Sequence, residues 1–60
     1  MNLMIVKQGE KSITVTTICE PTHIPRVGES IIFKHKEYTV LQIIWDYNEK
    51  YIFAYCKEEE

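Results

Sequence analysis

Four residues of this 60-residue chain carry side chains that ligate metals or act as nucleophiles: Cys19, His23, His35 and Cys56. They are spaced C-x3-H-x11-H-x20-C. Zinc takes four tetrahedral nitrogen and sulfur ligands, usually offered as two close pairs. Cys19 and His23 are spaced as one such pair, whereas His35 and Cys56 are not. The pattern therefore reads as two core thiols and two loop histidines, and no metal or cofactor is expected. Nucleophilic catalysis would need a cysteine, a histidine beside it in space and an orienting carboxylate. Cys19, Glu20 and His23 are close in sequence, but neighbours on a strand and the loop after it rarely converge. A chain this short also has little room for a pocket that excludes water. No enzymatic activity is expected.

Aromatic residues offer a different chemistry. Small barrels bind single-stranded nucleic acid by stacking bases on aromatics within a basic groove. Phe33, Tyr38, Trp45, Tyr47, Tyr51, Phe53 and Tyr55 supply the aromatics. Lys34, His35, Lys36 and Arg26 are the candidate basic residues, but Glu29, Glu37, Asp46 and Glu49 are interleaved with them. The chain has seven Lys and Arg against nine Asp and Glu, for a net charge of −2. Glu58, Glu59 and Glu60 are three of those acids, so the rest carries six acids against seven bases. No basic field exists to attract a phosphate backbone. Single-stranded nucleic-acid binding is the alternative reading, and a nucleic-acid partner is disfavoured.

These side chains must be positioned by strands. With 45% hydrophobic and 27% charged residues the chain is globular. At this length folding buries about 60% of the surface the unfolded chain exposes, so stability is marginal. "SITVTTIC" is rich in β-branched residues, which suit a pleated surface. No window repeats apolar residues at a helical period. Five strands are expected, over residues 2–7, 12–19, 29–34, 38–45 and 51–57. Ile18 breaks the alternation of the second strand, which places a bulge near Thr17. Val40 and Ile43 in the fourth place another at Leu41–Gln42. Between the second and third strands, Pro21 and Pro25 exclude a central strand. Gly28 there serves either a positive φ or a close backbone approach.

Short strands separated by turn signals indicate a small barrel or sandwich, and sequential strands usually pair. The expected fold is all-β: a five-stranded antiparallel meander closing into an SH3-like barrel. Residues 1–57 form the single domain and residues 58–60 an acidic tail. The opening stretch has four consecutive apolar residues, too few for a signal-peptide core or a membrane span. Two cysteines 37 positions apart are few for a secreted mini-domain. A cytoplasmic location, no membrane contact and free buried thiols are expected.

Pro25, Val27, Gly28, Glu29, Ile31, Phe33, Tyr38, Val40, Ile43 and Trp45 make a further pattern. It is a proline, Val-Gly-acid, two alternating apolar residues, a tight turn, an aromatic-x-Val pair and an apolar-x-aromatic pair. Residues 24–56 in this respect resemble short, mostly uncharacterised SH3-like small-barrel proteins of bacteria and their phages. The turn "KHKEY" departs from that pattern, because such hairpins often carry a glycine. The resemblance implies a fold, and it implies no catalytic residue and no cofactor. It also suits an inhibitor or adaptor that docks on a larger protein.

More apolar side chains are present than one sheet face can hide. If Tyr38, Val40, Ile43 and Trp45 face the core, Leu41 and Ile44 face away. In the last strand either Ile52, Ala54 and Cys56 point inward or Tyr51, Phe53 and Tyr55 do, since side chains alternate. A small core favours the compact set. Tyr51, Phe53 and Tyr55, with Tyr47 and Ile44, then form an outward stripe for a protein partner or a second copy, centred on Phe53. The competing arrangement packs that stripe under the first strand.

Overall fold

The computed structural model of the chain describes residues 1–59 and contains five strands. β1 is Asn2–Lys7, β2 Ile13–Cys19, β3 Ser30–Phe33, β4 Lys36–Asp46 and β5 Tyr51–Glu59. β5 extends two residues beyond its expected end, through Glu58 and Glu59. Glu60, the last residue of the expected tail, lies outside the described residues. Among the described residues no helix is long and apolar enough to cross a membrane.

The strands form one curled sheet, a half-barrel, in the order β2-β1-β5-β4-β3. It is mixed, which corrects the expected antiparallel meander: β1 and β5 run parallel. The reason lies in the connection at residues 20–29. After the β1–β2 hairpin, this proline-bearing segment carries the chain to the far edge of the sheet. The meander β3-β4-β5 then returns and brings β5 alongside β1 in the same direction. Gln8 donates its N–H to the Cys56 carbonyl at 2.8 Å and extends this parallel pairing. β1 and β5 carry apolar residues on both faces, so the centre of the sheet is where they bury most.

The core lies on the concave face. Leu3 and Ile5 of β1, Tyr38 and Val40 of β4, and Ile52, Ala54 and Cys56 of β5 are buried there together. Val15, Ile24, Ile31, Phe33 and Ile43 pack against them. Burying a residue such as Ile52 contributes about 1.5–3 kcal/mol. Two bulges adjust the strands. Val40 pairs with Cys56 and Gln42 with Tyr55, so Leu41 is the extra residue, at the expected Leu41–Gln42 position. In β2 the bulge falls at Val15 and not near Thr17: Ile5 pairs with Thr16 and Val6 with Thr14. This shift lets both Val15 and Ile18 lean toward the core side without breaking the ladder.

The turns follow local rules. The Arg26 carbonyl accepts the Glu29 N–H at 3.0 Å, closing a four-residue turn with Gly28 at φ +94°. Gly28 is thus needed for its positive φ, since nothing crowds its α-carbon. Lys34 and His35 link β3 to β4 with φ of +51° and +67°. Two positive φ values at the centre of a two-residue hairpin mark a type I′ turn. Asp46 Oδ1 accepts the N–H groups of Asn48 and Glu49, both at 3.0 Å, and starts the last turn.

Candidate protein-binding face

The strict alternation of β5 builds the site. Ile52, Ala54 and Cys56 are buried, which turns Tyr51, Phe53 and Tyr55 to the convex face. There they form a ladder along the strand. The Tyr51 and Phe53 rings stack with centroids 5.9 Å apart, and Phe53 and Tyr55 lie 6.3 Å apart. Offset aromatic neighbours at this distance attract. They are half-buried because they lie against one another and against the strands beside them.

Register fixes those neighbours. Phe53 pairs with Ile44 on one side and with Met4 on the other, and Met4 pairs with Thr17. One row therefore runs Thr17, Met4, Phe53, Ile44 across four strands. The row beside it is Thr14, Val6, Tyr55, Gln42. Val6 is buried yet separate from the main core. It is covered within this convex surface, which gives the outer face a small apolar centre of its own. Met4 and Val6 share this convex face by register.

The charges on this face are mostly acidic. Register places Glu37 opposite Glu59 and Asp46 opposite Tyr51. Lys57 lies on the same face, 3.6 Å from Glu59. Lys57 and the Thr39 hydroxyl, which donates to Glu59 Oε1 at 3.0 Å, offset part of the Glu59 charge, and Glu37 opposite it leaves this end of the face net acidic.

Two expected aromatic placements are corrected. Tyr47 does not join the ladder. It is 75% exposed and stacks on Trp45 at 6.2 Å, because the turn after β4 carries it to the Trp45 side. Trp45, expected in the core, is 47% exposed. It pairs with Ile52 on the concave side, but eleven-residue β4 overshoots the core there. Instead Trp45 walls a recess of about 450 Å³ with Ile24, Val27 and Ile43. Ile44 stands as expected on the convex face, 39% exposed.

The residues able to do chemistry are scattered. Cys19 is exposed on β2, a correction to its expected burial, because β2 is an edge strand. Cys56 is free and buried, and burial pushes its thiol above the ordinary range. His35 sits in the β3–β4 turn. His23 Nε2 lies 3.7 Å from Glu29, whose other contact is the Arg26 N–H at 2.6 Å. The Arg26 N–H first, and then His23, hold the Glu29 carboxyl below its usual range. Among the described residues no three His, Cys, Asp or Glu side chains are grouped to hold a metal.

A second groove, of about 500 Å³, opens between the two edges of the half-barrel. Leu3 and Ile5 floor it, with Ile18 of β2 and Ile31 of β3 on its sides and Glu29 at its rim. Comparison with family models, curated proteins and solved structures finds no match to this chain.

Proposed function

We propose that this chain is a non-enzymatic protein-binding module that docks through the convex face of β5. The observation that carries the reading is the ladder Tyr51, Phe53 and Tyr55, flanked by Met4 and Ile44 and turned away from the core. Aromatics and Met are enriched at protein interfaces, where a few central residues carry most of the energy. The acidic end at Glu37 and Glu59 favours a partner whose apolar patch is rimmed by Lys or Arg. The same charges disfavour single-stranded nucleic acid, which needs cations where this face has three acids and one lysine.

The resemblance of residues 24–56 to SH3-like small barrels of bacteria and phages supports an inhibitor or adaptor role in the cytoplasm. The test is capture of a partner from native cell extract at rising salt, beside titration with a short oligo-dT strand. Docking by an apolar patch keeps the protein partner at moderate salt, and oligo-dT does not bind. Binding of oligo-dT that collapses steeply with salt would overturn the reading.

A further inference from the structure

We propose that β2 is a dimerisation edge, on which the β2 strand of a second copy pairs antiparallel about a two-fold axis through Thr17. The half-barrel has two sheet edges, β2 and β3. Natural edge strands are blunted by shortness, charge or proline. β3 has only four residues, lies between Glu29 and Lys34, and follows Pro25 closely. β2 has seven, "ITVTTIC", with no charge and no proline. Among the described residues it pairs with β1 alone. Ile13 is 57% and Ile18 43% exposed on it. The Val15 bulge protects its first half and leaves residues 16–19 regular.

A second copy fits this edge for three reasons. A two-fold perpendicular to the sheet preserves the faces, so Thr17 meets Thr17 on the convex side. Ile18 then meets Thr16 twice on the concave side. Thr–Thr and apolar–β-branched cross-strand pairs are favourable, and no like charges are brought together within the strand. In this register Glu20 of one copy faces Thr14 of the other, so no like charges oppose each other at the strand ends either. By contrast, stacking two convex faces would turn Glu37, Asp46 and Glu59 of each copy toward those of the other. Pairing through β2 makes one ten-stranded sheet with both aromatic ladders on the same side, a docking face twice as wide.

Sedimentation tests this directly. The wild type is expected to shift with concentration from 7.2 kDa toward twice that mass. Thr17→Lys should stay monomeric with an unchanged far-ultraviolet dichroism spectrum, while Phe53→Ser should dimerise like the wild type. In an antiparallel pair the facing α-carbons are about 4.5–5.5 Å apart, within disulfide range. Thr17→Cys in a Cys19→Ser background should therefore oxidise to a reducible covalent dimer. A wild type that remains at 7.2 kDa up to about 1 mM would overturn the proposal. So would a dimer that persists in Thr17→Lys, or one abolished by Phe53→Ser alone. Failure of Thr17→Cys to cross-link would count against the two-fold as well.

Discussion

Ile44 and Phe53 stand directly opposite each other across the β4–β5 pairing, both turned away from the core. An aromatic facing a β-branched residue on an antiparallel pair is attractive by about 0.2–1 kcal/mol. A double-mutant cycle of Ile44→Ala and Phe53→Ala should show coupling of that size. Additive losses would mean that the two side chains do not meet. The same alternation leaves Ile52 on the opposite face, where truncation to alanine removes core atoms and costs about 2–5 kcal/mol.

Trp45 is the second test. Its half-exposed position predicts that Trp45→Ala costs about 1 kcal/mol or less, as expected for a substitution outside the core. Thermal unfolding of the variant should lie close to the wild type, and acrylamide should quench the native tryptophan readily. A shielded tryptophan, or a variant that fails to fold, would put Trp45 in the core.

The Lys34–His35 turn holds two non-glycine residues at positive φ. Each left-handed residue of this kind costs about 1–2 kcal/mol. Replacing the pair by Asn-Gly, the preferred type I′ sequence, should stabilise the fold by about 1 kcal/mol net. For a domain of this size that raises the melting temperature by about 4–8 °C. A lower melting temperature would show that Lys34 contributes more through its approach to the Phe33 ring, 5.5 Å away, than the turn strain costs.

Glu29 gives a pH dependence. Its folded-state carboxyl is held below its ordinary value, chiefly by the Arg26 N–H. The stability it contributes is present above the unfolded-state pKa and is lost as pH falls through the depressed folded value. Melting temperature should therefore decline on acidification below the usual glutamate range. Glu29→Gln, which keeps a carbonyl for the Arg26 N–H, should flatten that decline. An identical pH profile in the variant would show that Glu29 is not linked to folding.

Much of this was legible in the sequence. The period of two in residues 51–56 and the small size of Ile52, Ala54 and Cys56 pointed to the buried face of β5. The spacing of Val40 and Ile43 located the Leu41 bulge. The parallel β1–β5 pairing was not legible, because it depends on where a proline-bearing connection delivers the chain and on which strands bury two faces. Trp45 was misplaced because strand length alone does not show where the core ends. Tyr47 was misplaced because turn geometry, not strand alternation, decides its side. Val15 and Thr17 differ by two positions in a run of β-branched residues, and either can absorb a bulge.

In the proposed function Phe53 anchors a docking face and not the core. The most direct measurement follows fold and association of Phe53→Ser in the same sample, by dichroism melting and by titration of the captured partner. The expected result is a folded variant whose association is weaker by more than ~2 kcal/mol, about thirty-fold. An unfolded Phe53→Ser, or a folded one that binds as tightly as the wild type, would contradict it.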